Sequence, residues 1–245
     1  MSSETRFAEL LVTAPPPEAP VGGSEGAFTK VDGRECLLRC ADLFTAREEV
    51  VQAIACFPPE AAADEADLLA APDLKTRFGG HLTFGGVRLA PPVADWAGQI
   101  RSMAAKLDVA VTHAIVHDAA RPAVAFSDLD ALFDAVQAEP THVHALAAPL
   151  PGEPLEVDGG GHPVGPRPAE AFRLLLWPRV FPKADLAGLG QGNPLPPARL
   201  RLVPGLPLNL RCNGPTDAKL LQAMLKLLPQ PKREGPLNPF EEAQW

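Results

Sequence analysis

Apolar runs along the chain alternate with stretches in which apolar residues recur at spacings of three and four, the pattern that βαβ units leave in a sequence. The apolar runs predict strands at residues 9–13, 50–57, 111–117, 143–148 and 200–203. The stretches between them predict helices at residues 36–47, 93–107, 128–138 and 216–228. The alternation therefore predicts an α/β fold with a mainly parallel sheet flanked by helices.

Turn and cap residues add two details to this pattern. Within residues 149–168, Asp158 and the three glycines after it separate two short extended pieces, which predicts a protruding β-hairpin arm at 155–164. Ser127 and Asp130 have the spacing of a capping box and predict that a helix starts there. The turn residues therefore predict an arm outside the main sheet, and the cap residues predict where one helix begins.

The composition favours a soluble globular protein. The chain has 245 residues, 46% of them hydrophobic, and lacks the apolar run of about 18 residues that spans a bilayer. Residues 1–8 lack the basic start and apolar stretch of a signal peptide. The net charge of −8 argues against nucleic acid as a partner, since clustered Lys and Arg bind phosphate backbones. We expect a cytoplasmic protein with one domain at 1–230, a C-terminal tail at 231–245 and no membrane partner.

The cysteines and histidines do not predict a metal site. No two cysteines make a CxxC pair, and we interpret all four as buried reduced thiols: Cys36, Cys40, Cys56 and Cys212. Four histidines cluster near the ends of two predicted strands without a carboxylate at metal-ligand spacing: His113, His117, His142 and His144. We interpret these histidines as solvated or hydrogen-bonded.

The most specific motif includes most of the third predicted strand. Residues 114–122 have the sequence AIVHDAARP, an apolar strand that ends in an acidic residue and a turn of small residues. This segment is similar to the V-x-V-H-D-A-A-R-P motif of the 2-C-methyl-D-erythritol 4-phosphate cytidylyltransferase family. Open α/β sheets place ligand groups at the carboxyl ends of their strands. We therefore interpret Asp118 as a site residue rather than only a turn residue.

Three further segments resemble the same family in the same order. Residues 203–217 have the sequence VPGLPLNLRCNGPTD, which is similar to V-x-G-x-x-x-N-x-K-x-T-x-P-x-D. Here Arg211 replaces the family's lysine and Asn213 replaces its threonine. Weaker similarities are GGVR at 85–88 to G-G-x-x-R and PRVF at 178–181 to Q-T-P-Q-x-F. The four segments together span most of the chain.

The resemblance implies a Rossmann-like nucleotidyltransferase fold from isoprenoid biosynthesis, which binds CTP with Mg²⁺ above the strand ends. It also implies a homodimer through the hairpin arm. The positions that match nucleotide- or substrate-binding residues are Gly85, Gly86, Arg88, Asp118, Ala119, Arg121, Asn209 and Arg211. Asp118 and Arg211 are remnants of the catalytic set, and Asp118 is the metal position. We interpret Arg121 as a brace for the turn, while Arg88 and Arg211 also suit ordinary turn and surface positions. We expect Asp118 and Arg211 to share one cleft.

The resemblance breaks at the family's phosphate-binding loop. Where the family has G-x-G, this chain has Pro15, Pro16 and Pro17, and Ala19 and Gly26 occupy the positions of the loop's arginine and lysine. Glycine-rich loops bind phosphate through successive backbone N–H groups, whereas proline has no N–H and a fixed φ. We therefore expect a pseudoenzyme in which cytidylyl transfer is lost or strongly reduced.

Two alternatives remain open at this point. Lys30 or Arg34 could replace the missing cations in an active cytidylyltransferase that uses Mg²⁺. A nucleotidyltransferase that acts on another sugar phosphate through a rebuilt loop would also retain the matched motifs. For catalytic rescue, we expect a glycine loop to be needed together with arginine at position 19 and lysine at position 26.

Overall fold

The computed structural model describes residues 5–19, 23–61, 87–189 and 197–228. The strands are β1 (Phe7–Val12), β2 (Lys30–Val31), β3 (Arg34–Glu35), β4 (Val50–Cys56), β5 (Arg88–Leu89), β6 (His113–Asp118), β7 (Val143–Pro149), β8 (Leu155–Val157), β9 (Pro163–Pro166), β10 (Arg173–Pro182) and β11 (Leu200–Pro204). The helices are α1 (Glu25–Phe28), α2 (Cys36–Thr45), α3 (Trp96–Ala104), α4 (Phe126–Ala138) and α5 (Pro215–Leu227). In this part of the chain, seven strands form one sheet in the order β11-β7-β10-β6-β1-β4-β5, and β2-β3 and β8-β9 form separate pairs.

Strand β1 lies inside the main sheet and is buried along its whole length. It pairs in parallel with β4 on one side and with β6 on the other, so that Leu10 lies opposite both Ile54 and Val116. The chain therefore runs to one side of β1 to form β4 and crosses to the other side to form β6. In open α/β sheets, ligands bind at such a switch point, outside the carboxyl ends of the strands.

Helices cover both faces of the sheet, which is the predicted α/β architecture. On one face, α2 and α4 contribute Phe44 and Leu129 to a core that includes Phe7. On the other face, α3 contributes Ile100 and Met103 to a second core. The α/β fold with a mainly parallel sheet is confirmed. Within the described residues, no helix is long and apolar enough to cross a membrane.

Strand β10 is the longest of the elements that the hydrophobic pattern did not predict; the others are the short α1, β2, β3 and β5. It runs antiparallel to both β6 and β7. Its sequence contains Pro178, and proline is normally excluded from central strands because it has no N–H to donate to a neighbour. The pairing of β10 with β7 shifts register between Leu175 and Arg179, so the proline lies at an irregularity in the ladder.

The strands and helices that the hydrophobic pattern did predict are all present, with ends that differ by a few residues. The capping box was wrong, because α4 begins after Ala125 and no side chain caps it. In the first turn of α4, the buried Asp128 carboxylate accepts a hydrogen bond of 2.8 Å from the backbone N–H of Leu206. This start of the helix is therefore held by a contact across the fold rather than by a side-chain cap.

Strands β8 and β9 form the predicted hairpin arm. Asp158 Oδ1 accepts hydrogen bonds from the backbone N–H groups of Gly160 and His162, at 2.8 and 2.9 Å. The apolar side chains of Val157 and Val164 are exposed on this arm. The contact of the arm with a second subunit and the boundary of the domain at residue 230 stay predictions, and the tail at 231–245 lies outside the described residues.

Glu9 is an acidic residue within β1, the most deeply buried strand. Its side chain is fully buried, and neither carboxylate oxygen has a hydrogen-bond partner. Burial, with a smaller contribution from Asp42, raises the pKa of Glu9 well above its usual value. The folded protein therefore keeps a proton on Glu9 at a pH at which the unfolded chain would release it.

We predict that Glu9→Gln increases the stability of the protein at neutral pH. Because the folded pKa lies above the unfolded one, the stability contributed by Glu9 is fully present below about pH 4 and is lost as the pH rises toward the folded pKa. Glutamine has no such proton to lose. The stability advantage of the variant should therefore grow with pH, by at most about 1.4 kcal/mol per pH unit.

Urea unfolding between pH 4 and pH 8 measures this advantage, with the exposed Glu48→Gln as the matched control. An advantage that stays constant with pH, or one that Glu48→Gln reproduces, would contradict the assignment of a buried proton to Glu9.

Candidate functional site

Asp118 is the last residue of β6, at the switch point of the sheet, and is fully buried. Its Oδ2 accepts hydrogen bonds from Arg121 Nε at 3.0 Å and from Arg211 Nε at 3.1 Å. Its Oδ1 accepts one from the backbone N–H of Ala120 at 3.1 Å. The two strongest sequence motifs, which lie far apart along the chain, therefore meet at one carboxylate.

Both arginines also donate to other protein groups. Arg211 donates from Nη1 to Asn213 Oδ1 at 3.0 Å and from Nη2 to the Gly23 carbonyl at 2.9 Å. Arg121 donates from Nη1 to the carbonyl of Asn209 at 2.8 Å. We call Asp118, Arg121, Asn209 and Arg211 the Asp118 cluster. Arg211 has all three of its nitrogens bonded and a side chain that is only 5% exposed, so it does not face solvent as a free phosphate ligand would.

Asn209 completes this cluster. Its side chain is buried, and its Nδ2 donates to the carbonyl of Trp177 in β10. Its own carbonyl receives the Arg121 bond, so it links β10 to the turn after β6. Sequence analysis placed Asn209 in the site from the motif alone, but its connection to the unpredicted strand β10 carried no sequence signal.

The Asp118 cluster holds one carboxylate and two guanidinium groups, so its acidic charge is fully paired within the protein. Burial raises the pKa of Asp118, and Arg211, Arg121 and the Ala120 N–H act in the opposite direction. Each oxygen of the carboxylate already accepts from N–H groups. Mg²⁺ usually keeps several water ligands when it binds a protein carboxylate. Asp118 is fully buried and its Oδ2 faces two guanidinium groups, so its surroundings do not suit the metal that the family resemblance implies.

An open cleft of about 1100 Å³ lies beside this cluster, outside the carboxyl ends of β1 and β4. Ala14, Pro15 and Pro58 line its base, and its charged side chains are Glu25, Lys30, Glu60 and Lys219. Two lysines and two glutamates leave its lining close to neutral. Asp118 and Arg211 were expected to share a cleft; they are in contact with each other, but in a buried cluster rather than on this wall.

The loop that leaves β1 forms the edge of the cleft, and we call residues 13–19 the proline loop. The backbone N–H groups of Thr13 and Ala14 both donate to Gln99 Oε1, at 2.9 and 3.1 Å. The N–H of Ala19 donates to the Pro16 carbonyl at 2.9 Å. The prolines at 15–17 have no N–H, so only the amide of Glu18 remains to bind an anion.

Comparison with solved structures shows which proteins share this arrangement of strands. The 4-diphosphocytidyl-2C-methyl-D-erythritol synthase of Anaerococcus prevotii DSM 20548 has a TM-score of 0.71 at 14% identity, over 91% of this chain and 99% of that one. The 2-C-methyl-D-erythritol 4-phosphate cytidylyltransferase of Thermus thermophilus has a TM-score of 0.60 at 21% identity, over 89% and 98%. This chain has their fold. Comparison of the sequence with protein-family models and with curated proteins finds no match.

On this nucleotidyltransferase fold, Gly26 occupies the position that sequence alignment assigned to the loop lysine. A Cβ atom built on Gly26 would lie 1.8 Å from the carbonyl oxygen of Cys212, a distance that no side chain can adopt. The loop that carries Arg211 therefore packs directly on the Gly26 backbone. The expectation that lysine at position 26 helps to restore catalysis stays a prediction, and this contact argues against it, because the lysine would first have to push the loop away.

The substitute cations considered from sequence have other partners. Lys30 Nζ lies 3.4 Å from Glu35 Oε1, and its side chain is 67% exposed. Arg34 Nε lies 2.7 Å from Asp42 Oδ2 of α2. Neither contacts Asp118, although Lys30 does line the open cleft.

The weaker similarity at residues 85–88 is separated from the Asp118 cluster. Arg88 is on β5, and its guanidinium lies 3.4 Å from Asp108 Oδ1, in the loop that precedes β6 at the amino end of that strand. Gly85 and Gly86 lie outside the described residues. Ala119 is buried beside the cluster, with its N–H bonded to the carbonyl of Val12 and its own carbonyl 3.6 Å from Cys40 Sγ. The structure therefore joins Ala119 to the cluster through the backbone and leaves Arg88 apart.

The histidines lie in hydrogen bonds at two ends of the sheet. His117 Nε2 is 3.0 Å from the Arg121 carbonyl, and burial lowers the pKa of His117 to about 3. His113 and His144 lie near the opposite end, with Nε2 atoms 2.8 and 2.9 Å from backbone carbonyls. Among the described residues, no group of three or more His, Cys, Asp or Glu side chains could hold a metal ion.

We predict that Asp118→Asn destabilises the protein by about 3–5 kcal/mol, because it leaves two buried guanidinium groups facing a neutral amide. The matched control is Asp185→Asn, which removes the partially exposed pair with Arg199 and should cost under about 1 kcal/mol. Urea unfolding at pH 7 measures both.

Combining Asp118→Asn with Arg211→Met should recover part of the loss, because one uncompensated charge is removed. Equal effects of Asp118→Asn and Asp185→Asn would show that the Asp118 cluster carries no special share of the stability.

Proposed function

We propose that this chain is a divergent member of the 2-C-methyl-D-erythritol 4-phosphate cytidylyltransferase family in which CTP-dependent cytidylyl transfer is lost or strongly reduced. The family is supported by the shared fold and by the meeting of its two motifs at Asp118. The loss of activity rests on one observation, that the proline loop offers a single amide where a triphosphate needs several.

The charges around the loop support the same proposal. Glu18, which holds the one remaining amide, carries a carboxylate that binds Arg179 Nη2 at 2.7 Å. The guanidinium of Arg179 also stacks on the Trp177 ring, 3.9 Å from its centroid, so this cation is already engaged. A phosphate that approached the loop would meet a negative side chain and no free arginine. The loss of one charge-stabilising donor typically costs about 10²- to 10³-fold in rate.

A second candidate is a nucleotidyltransferase that uses another sugar phosphate, and one observation favours it. The open cleft keeps a volume of about 1100 Å³, and the ammonium groups of Lys30 and Lys219 line it. Two lysines on the cleft wall provide cations at a place that the family loop does not use. A phosphate ester held there would be bound by side chains rather than by a backbone cradle.

We predict that the protein releases pyrophosphate from CTP and methylerythritol phosphate, with Mg²⁺ present, at a rate at least about 10²-fold below a common enzyme turnover of roughly 1 per second. The cytidylyltransferase of Thermus thermophilus, assayed in parallel, is the positive control. Turnover near 1 per second by the unaltered protein would overturn the proposed loss and give Lys30 or Lys219 a catalytic role.

A measurement of CTP binding distinguishes the effect of the proline loop on binding from its effect on turnover. Replacing Pro15, Pro16 and Pro17 by Gly, Ala and Gly restores three N–H groups, and we expect CTP to bind more tightly without a gain in turnover, since Gly26 has no room for the lysine. If a sugar phosphate other than methylerythritol phosphate binds the unaltered protein, and Lys30→Ala with Lys219→Ala abolishes that binding, the second candidate is favoured.

We propose that the protein is a homodimer through its hairpin arm. Val157 and Val164 are 54% and 63% exposed on this arm, and apolar residues on a two-stranded hairpin gain stability when a second surface covers them. Sedimentation velocity at micromolar concentration should show a dimer for the wild type and a monomer for Val157→Asp with Val164→Asp.

Val109→Asp is the matched control for the dimer, because Val109 is 97% exposed in the loop before β6 and lies away from the arm. A wild type that sediments only as a monomer would rule out the arm as an interface. So would a Val109→Asp variant that dissociates as readily as the arm variant.

A further inference from the structure

Cys36 and Cys212 are two thiols from distant parts of the chain that meet in the interior. Cys36 is the first residue of α2, and Cys212 lies in the loop between β11 and α5, directly after Arg211. Both are free, fully buried and packed in one small core with Val31 and Leu221. Each thiol is close enough to the other to shift its pKa. The fold therefore places two thiols in contact that the sequence separates by most of its length.

The two thiols differ in their readiness to ionise. The hydrogen bond from Cys36 lowers the pKa of Cys212 to about 6, and hydrogen bonds with Gly214 and Thr29 lower it too. Burial alone would raise it. The same hydrogen bond and burial raise the pKa of Cys36. Since the thiolate is the reactive form of cysteine, the pair combines a nucleophile with a protonated neighbour.

Cys212 is buried, but it lies in a loop with exposed neighbours. Its chain neighbour Asn213 is exposed, and so is Leu210 two residues before it. The segment is a loop, held by the Cys212 N–H to the Ala120 carbonyl at 2.7 Å. A small oxidant therefore needs only a local opening of this loop to reach the sulfur.

We propose that Cys36 and Cys212 are a redox pair that forms an intramolecular disulfide when the protein meets a peroxide. The Cys212 thiolate attacks one peroxide oxygen, the O–O bond breaks, and the released hydroxide takes a proton to become water. The Cys36 sulfur then attacks the resulting sulfenic acid, an S–S bond forms, and the hydroxyl leaves with the Cys36 proton as a second water. The two sulfurs lose two electrons, and the peroxide gains them.

The bond joins the start of α2 to the loop that carries Arg211. That loop already packs on Gly26 and holds Asp118 through the neighbouring arginine. A covalent link at Cys212 fixes the loop in this closed position and restricts the unfolded chain over a long loop. Oxidation is therefore expected to stabilise the protein and to hold Arg211 in contact with Asp118. The proposal does not depend on whether the protein transfers cytidylyl groups.

The experiment treats the full-length protein with hydrogen peroxide at pH 7 under denaturant-free conditions, followed by intact mass and peptide mapping. We expect a loss of 2 Da, a cross-linked pair of peptides that contain Cys36 and Cys212, and a rise in Tm of roughly 4–16 °C that dithiothreitol reverses. Cys36→Ser and Cys212→Ser should each abolish the loss of 2 Da and the rise in Tm.

The other two cysteines supply matched controls. Cys40 lies one helical turn from Cys36, and Cys56 lies 3.2 Å from the Pro91 carbonyl in another part of the core. Cys40→Ser and Cys56→Ser should keep both responses. A cross-link that maps to Cys40, the persistence of four free thiols under peroxide, or oxidation to sulfinic acid without a disulfide would each overturn the proposal. Because peptide mapping uses the wild-type protein, it distinguishes these results even if a serine variant does not fold.

Discussion

The carboxylate of Asp118 is the contact on which the arrangement of this region depends. Burying a charge costs several kcal/mol unless cationic partners compensate for it, and here Arg121 and Arg211 supply them from two different segments. Arg211 also reaches the Gly23 carbonyl, so one buried ion pair network joins the end of β6, the loop after β11 and the segment before α1. The positions of these loops follow from the need to keep Asp118 paired.

The same network also fixes the position of the loop that carries Arg211. Arg211 can neutralise Asp118 only if its loop lies close to the sheet, and this closeness places the Cys212 carbonyl against Gly26. A side chain at position 26 would separate the two segments. Gly26 lies where the resemblance places the family's lysine. Its close contact with the Cys212 carbonyl and the inward position of Arg211 therefore depend on each other. The open cleft beside it keeps a nearly neutral lining.

The helix α2 covers several groups that could titrate in the protein interior. Glu9 lies beneath the helix without a hydrogen-bond partner, and Cys40 on the helix has a pKa raised by burial and by the nearby Glu9 and Asp118. Cys36, at the start of the same helix, contacts Cys212. For Glu9 and Cys40 the neutral form is favoured mainly because the low-dielectric core disfavours charge, whereas for Cys36 the interaction with Cys212 comes first. At Asp118, Arg211 and Arg121 act against the effect of burial.

The sequence alone determined the architecture and the members of the Asp118 cluster. Periodicity is a local property, so the strands and helices that it predicted are present, and the residues of two motifs were assigned to one site before any contact was known. Local patterns do not report contacts between distant segments, and those contacts decided the rest. Tertiary structure placed β10 in the sheet despite Pro178, left α4 without the predicted capping box but with a bond from the Leu206 N–H to Asp128, and turned Arg211 inward onto Asp118. It also brought Cys36 to Cys212 and left no space beside Gly26, because burial and packing depend on which segments meet in space.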